Sequence, residues 1–239
     1  MRNAIVTGAT KGIGLAIAKM LLNEGYHVVV TYSSDTEAAD RAAKEFSLIS
    51  SEFEICKVNQ ADKEQMKSFA IKMQELAHID CIVNNAGITL REHLKDITDE
   101  AWERVMQVNV NSALYLVRDM YNYIPENSRI IFIGSMMGVY PHGTSLAYGV
   151  TKSAVHALAT NLVKFFEGTG TTVNCIAPGF VETEWQKDKP IEIRNNIYAK
   201  SAIKRFATVD EIADAVKFCI NNPFVNGTTI EVSGGYSFK

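Results

Sequence analysis

Seven short apolar runs recur along the chain, most of them separated by a segment of helical length and pattern. The runs are Ala4–Thr7, His27–Thr31, Phe53–Val58, Asp80–Asn84, Arg129–Ile133, Thr172–Ile176 and Thr229–Val232. They are four to six residues long and rich in Val and Ile, which reads as buried strand. Between them, LAIAKMLLNE is amphipathic and stops at Gly25, and a polar helix follows the second run to about Lys44. Asp62-Lys63-Glu64-Gln65 and Thr208-Val209-Asp210-Glu211 have the pattern of helix starts. Thr98-Asp99-Glu100 places acids in a first turn, where the helix dipole favours them. Strands alternating with helices imply a parallel sheet covered on both faces. The expectation is one doubly wound α/β domain over residues 1–239, with seven strands. Only Thr183–Ser201 has no clear place; irregular or short helical structure above the sheet edge is expected there, and Glu182, Glu184 and Trp185 at its start suggest a lid.

The first strand runs straight into GATKGIG. Gly8, Gly12 and Gly14 in that turn permit positive φ and let backbone N–H groups at a helix start close on a pyrophosphate. The spacing is GxxxGxG, so the dinucleotide fingerprint is met in position though not in letter. The domain is therefore expected to be Rossmann-like and to bind a dinucleotide. The second strand ends Thr31-Tyr32-Ser33-Ser34, with no carboxylate before Asp35 to hold ribose hydroxyls. Lys11 in the glycine turn, with Thr31 and Ser33, would instead suit a 2′-phosphate, which favours NADP(H) over NAD(H). The bland reading is that Lys11 is merely solvated and Thr31 and Ser33 are turn residues.

Downstream, Ser135 follows the strand RIIFIG, and Tyr148 and Lys152 lie four apart on the next helix, hence on one face. A free phenol titrates near about 10 and exchanges its proton slowly at neutral pH. A neighbouring ammonium should lower that value, and Ser135 could hydrogen-bond a carbonyl oxygen while the tyrosine gives or takes the proton. This is a site for carbonyl–alcohol interconversion. YxxxK alone is a weak signal, and a surface helix with a chance Tyr and Lys is its plain alternative.

Composition narrows the field. The formal net charge is −3 and no basic run exceeds two residues, which argues against nucleic acid and anionic membranes. No stretch has the length of a membrane span or the pattern of a signal peptide, so a cytoplasmic protein is expected. Cys56, Cys81, Cys175 and Cys219 are widely spaced, which reads as reduced cysteines without a metal site. His142 and His93 could border a substrate; His27, His78 and His156 read as structural or solvated.

TGATKGIG, NNAG at Asn84–Gly87, Asn109 in VNVNS, Ser135, Tyr148 with Lys152, and PGFVET at Pro178–Thr183 occur in one order. Together they resemble the short-chain dehydrogenase/reductase family over essentially the whole chain. The resemblance implies Ser135, Tyr148 and Lys152 as the catalytic set, with Asn109 holding a water that links Lys152 to solvent. It implies that Ile13 of the glycine turn, Asn59, Asn85, Ala86 and Gly87 line the cofactor. Pro178, Gly179, Val181 and Thr183 would sit at the nicotinamide, whose ribose hydroxyls Lys152 would also bind. AGITLREHLKDITDEAW, RFATVDEIADAV and TTIEVSGGYSF are similar to 3-oxoacyl-acyl-carrier-protein reductases. That implies reduction of a 3-oxoacyl thioester, acyl carrier protein as a possible partner, and a homodimer or homotetramer. In MYNYIPENSR, where such reductases carry basic residues, this chain has only Arg129. The alternatives are a dehydrogenase of a sugar, polyol or small ketone, and a non-catalytic NADP-binding redox sensor.

Overall fold

The computed structural model describes residues 1–141 and 145–236 of the chain. Among these residues, β1 (Arg2–Val6), β2 (Tyr26–Tyr32), β3 (Phe53–Lys57), β4 (Cys81–Asn84), β5 (Arg129–Ile133), β6 (Thr172–Pro178) and β7 (Thr229–Val232) form one sheet. All neighbours are parallel, in the order β3-β2-β1-β4-β5-β6-β7. The apolar runs thus mark the strands, with ends moved by one or two residues. The sixth strand runs past Ile176 because Ala177 and Pro178 stay in register with Glu231 and Val232 of β7.

The helices are α1 (Gly12–Asn23), α2 (Thr36–Ser47), α3 (Lys63–Met73), α4 (Asp99–Met106), α5 (Ser112–Met120), α6 (Leu146–Leu162), α7 (Glu184–Lys187), α8 (Ile191–Ala199) and α9 (Val209–Asn221). A π turn, Gln107–Asn111, joins α4 to α5. The segment left unplaced by the sequence becomes α7 and α8. Thr208 and Glu211 complete a reciprocal capping box on α9. Asp62 caps α3 by accepting from the Glu64 and Gln65 amides, but Gln65 reaches back to the Asn59 amide rather than closing the box.

Strand residues alternate between two cores, as a period of two requires. Ala4, Val6, Val28 and Val30 pack with Ile17 and Leu21 of α1, Phe46 of α2 and Val216 of α9. Ile5, Val29 and Ile82 face the other way, against Phe69 and Met73 of α3 and Leu116 and Met120 of α5. On that same side, Ile130, Phe132 and Val173 meet Val117, and Val155 and Ala159 of α6. The four cysteines are buried and free. No helix among the described residues is long and apolar enough to cross a membrane.

Strand order reverses between β1 and β4, so the loops leaving their carboxyl ends diverge and open a crevice above the sheet. Hydrogen bonds stitch its floor. Thr7 Oγ1 accepts from the Asn85 and Ala86 amides at 3.0 and 3.1 Å, and Asn85 Nδ2 donates to the Thr7 and Gly8 carbonyls at 2.9 Å each.

Candidate active site

The crevice is a cleft of about 390 Å³, with the glycine turn at one end and Ser135, Tyr148 and Lys152 at the other. Two close approaches show why the turn needs glycine. Gly8 has φ of +64°, and a Cβ there would sit 2.9 Å from the Ala86 Cα. A Cβ on Gly14 would lie 2.5 Å from Asn85 Nδ2 and 2.6 Å from the Gly8 carbonyl. The backbone therefore lies flush with the NNAG loop and exposes the start of α1, the geometry in which helix N–H groups meet a phosphate.

Of the residues named for a cofactor, Gly8, Lys11, Gly12, Ile13, Gly14, Ser33, Asn59, Asn85, Ala86, Gly87, Pro178, Gly179, Val181 and Thr183 all line the cleft. Thr31 does not. It is fully buried, and its Oγ1 accepts from the Gly8 amide at 3.1 Å and from Gln60 Nε2 at 3.0 Å. Its hydroxyl braces the glycine turn from behind and is not offered to the cleft. Lys11 is not a bare cation either. Its Nζ lies 3.1 Å from Asp35 Oδ2 and 3.4 Å from Glu184 Oε2, so acids from α2's cap and from α7 meet over the turn. Burial pulls on Lys11, and the two carboxylates more than offset it, holding the amine above its ordinary value.

At the other end, β5 delivers Ser135 and α6 delivers Tyr148 and Lys152. Ser135 Oγ accepts from the Met137 amide at 3.2 Å and shares a hydrogen bond with the Tyr148 hydroxyl. Lys152 is buried, and its Nζ donates to the Ile133 carbonyl at 2.6 Å while lying 5.5 Å from the centre of the Tyr148 ring. The spacing led us to expect a phenol lowered by the ammonium. Instead burial pushes Tyr148 up to about 12, with the Ser135 hydrogen bond acting against it. Burial likewise pulls Lys152 down to about 8. Desolvation of each group outweighs their mutual attraction here, because the amine points at a main-chain carbonyl and not at the hydroxyl.

Asn109 stands behind this set and not in the cleft wall. Its Oδ1 accepts from the Ile88 amide at 2.8 Å, and its Nδ2 donates to the Ile88 carbonyl at 2.9 Å and to Thr151 Oγ1 at 3.0 Å. With both ends of the amide engaged, Asn109 ties the segment after NNAG to α6, and it lies close to Gly87.

His156, read from the sequence as structural or solvated, braces the site from behind. His156 lies one turn beyond Lys152, and its Nε2 accepts from the Ser135 amide at 3.3 Å. A Cβ on Gly134 would fall 2.2 Å from that nitrogen, and one on Gly138 2.8 Å from the same ring's Cε1. The i, i+4, i+8 spacing of Tyr148, Lys152 and His156 was the available signal. Asp35, Arg91, Arg104 and Gln186 line the cleft, and nothing in their local sequence announces it; Glu184, named from the sequence at the start of a lid, lines it as well. His142 lies outside the described residues, and His93 caps a short turn by accepting from the Lys95 amide. Among the described residues, no cluster of His, Cys, Asp or Glu could hold a metal ion.

Residues 2–193 match the sequence model of the family described as short chain dehydrogenase. The chain is 31% identical over 237 residues to the 3-oxoacyl-acyl-carrier-protein reductase FabG of Escherichia coli (strain K12), covering 97% of this chain and 96% of that protein. Among solved structures, it resembles a short-chain dehydrogenase/reductase from Serratia marcescens at TM-score 0.93 and 27% identity, covering 99% and 98% of the two chains. A short chain dehydrogenase from Burkholderia cenocepacia, solved in complex with NADP, superposes at TM-score 0.91 and 25% identity, covering 98% and 97%.

Proposed function

Because this chain belongs to the short-chain dehydrogenase family, we propose that it reduces the ketone of a 3-oxoacyl thioester, linked to acyl carrier protein or coenzyme A, to the 3-hydroxyacyl form with NADPH. The observation that carries the reading is the placement of Ser135, Tyr148 and Lys152 in one cleft with the glycine turn. The cradle fits a dinucleotide: glycine at 8 and 14 lets the turn close on the NNAG loop, which leaves the start of α1 open to a pyrophosphate. Lys11 and Ser33 would face the adenosine ribose and its 2′-phosphate, while Val181 and Thr183 would flank the nicotinamide. The relative solved with NADP supports the choice of cofactor.

When bound, the nicotinamide supplies the hydride. The chain's own residues then answer the negative charge that grows on the substrate oxygen. Ser135 Oγ and the Tyr148 hydroxyl, hydrogen-bonded to one another in the cleft wall, would both hydrogen-bond that oxygen. Tyr148 gives up its proton there. Lys152 keeps a positive charge beneath the ring, which favours the phenolate left behind. Asn109 and His156 hold the two loops that fix this geometry.

Leu146 and Val150 on α6, Phe165 just beyond it, and Phe218 and Phe224 near α9 are exposed apolar side chains. They support a second and further copies of the chain, as a homodimer or homotetramer in the cytoplasm. NADPH oxidation with acetoacetyl-CoA, acetoacetyl carrier protein and a panel of sugars, polyols and small ketones tests the activity. Turnover with the thioesters is expected; turnover confined to the panel would replace the proposal by a sugar or ketone dehydrogenase. NADPH is expected to give the lower KM, and an equal or lower value for NADH would overturn the cofactor choice.

A further inference from the structure

The mouth of the cleft carries positive charge that the chain itself does not neutralise. Arg91, on the loop after NNAG, and Arg104, on α4, are exposed and line the cleft. Lys189, between α7 and α8, is half-buried on the same side, close enough to Arg91 that the two repel. Burial first, then Arg91 and Arg194, hold its amine below the ordinary value. Among the described residues, Arg91, Arg104 and Lys189 enter no ion pair. Their sequence neighbours Glu92, Glu103 and Asp188 are exposed and do not fold back on them. The two acids that line the cleft, Asp35 and Glu184, are both paired with Lys11. Arg194 is engaged by Glu182 and by the Gln186 carbonyl.

Gln186 on α7 lines the cleft, but its Oε1 is shut away from the open space and is not presented to a ligand. Arg129 is turned toward the main chain: its Nε and Nη1 donate to the carbonyls of Ile220, Asn127, Ser128 and Gly170.

We infer that Arg91, Arg104 and Lys189 receive the phosphate of a phosphopantetheine-type arm. The inference rests on the thioester reading above and sharpens it: the substrate is recognised by the charged arm that coenzyme A and acyl carrier protein share. Guanidinium groups suit phosphate because their forked donors match its oxygens. Such a rim also draws an anionic substrate toward the cleft before contact.

The test compares kcat/KM for acetoacetyl-CoA and acetoacetyl carrier protein with that for acetoacetyl-pantetheine, which lacks the phosphate. The charged arms should be favoured about tenfold in the wild type, as two or three partly exposed charge contacts would give. In Arg91→Gln/Arg104→Gln the charged-to-neutral ratio should fall toward one; taking a ratio cancels any loss common to all substrates. A preference that survives only for the carrier protein would mean a protein–protein contact and overturn the site, as would a ratio unmoved by the variants. Binding is read separately by calorimetry, titrating 4′-phosphopantetheine and pantetheine into NADPH-saturated enzyme. Tighter binding of the phosphorylated form, lost in the double variant, supports the rim even if no thioester is reduced. In that outcome the proposed reaction fails and the site stands. Equal binding of the two forms overturns the site whatever the activity.

Discussion

His156 makes the site sensitive to acid. Its Nε2 accepts from the Ser135 amide, so the ring must be neutral at that nitrogen, and protonation would set two donors against each other. Burial and the nearby Lys152 lower its pKa from 6.5 to about 4. The folded chain thus binds this proton later than the unfolded chain does. Stability from this group is complete above pH 6.5, falls as pH drops toward 4, and is gone below that. At pH 5 the full shift corresponds to about 2 kcal/mol, and since the ring is only half-buried, solvent screening reduces the expected loss to ~1 kcal/mol. His156→Gln supplies a neutral acceptor that does not titrate. Urea unfolding at pH 7.5 and pH 5 should therefore show the wild type losing about 1 kcal/mol more than this variant. His156→Leu leaves the Ser135 amide without an acceptor, and should cost about 1–3 kcal/mol at pH 7.5 and about 1 kcal/mol less at pH 5, where the wild type has lost its own share. It should also depress kcat more than KM, whereas Gln restores kcat. If wild type and His156→Gln lose the same stability between the two pH values, the imidazole does not accept from Ser135 in solution.

The other predictions concern the cleft directly. Tyr148→Phe removes the proposed proton donor and should lower turnover at least about a hundredfold; NADPH binding, followed by fluorescence, should persist, and retention of more than about a tenth of the activity would remove Tyr148 from its role. Lys152, drawn down to about 8, should lose its proton as pH rises through that value, so kcat/KM for reduction should decline on the alkaline side with an apparent pKa near 8. A profile flat to pH 10 would show that the charge beneath the ring is not needed. Glu184→Gln frees Lys11 from one of its two acids; the pair is about half exposed, worth ~0.5 kcal/mol, so the Kd for NADPH should fall roughly twofold. The Kd for NADH should not follow, and an equal change in both would mean that Lys11 does not read the 2′-phosphate.

The sheet was legible because a parallel strand buried on both faces has to be a continuous apolar run, and such runs as HVVVT and RIIFI can be little else. The α7–α8 segment was not. Its four-residue first helix leaves no periodicity to find, and its residues Trp185, Ile191 and Ile193 stay exposed. Within the site, motifs located the backbone well, since GATKGIG and NNAG are fixed by steric closeness that only small residues allow. They located side chains less well. Thr31 and Asn109 carry polar heads at the expected positions, yet both turn them to the backbone behind the cleft, where Gly8 and Ile88 would otherwise lack partners. A polar residue beside a site has two possible employers, the ligand and the main chain, and local sequence does not distinguish them.

The ionisation of the site shows a further reason. Spacing put Tyr148 and Lys152 on one face of α6, which His156 extends by one more turn, but spacing carries no information about desolvation. All three groups are shifted toward their neutral forms by burial: the phenol up, the amine and the imidazole down. Attraction between Lys152 and an ionised Tyr148 pays only once the phenolate begins to form, which is during proton transfer and not before it. A resting site that keeps the phenol protonated is therefore the right starting point for reduction, since the proton must still be there to give. The same logic explains why Lys152 rests on the Ile133 carbonyl: the bond stabilises its charge without drawing the proton from Tyr148 ahead of time.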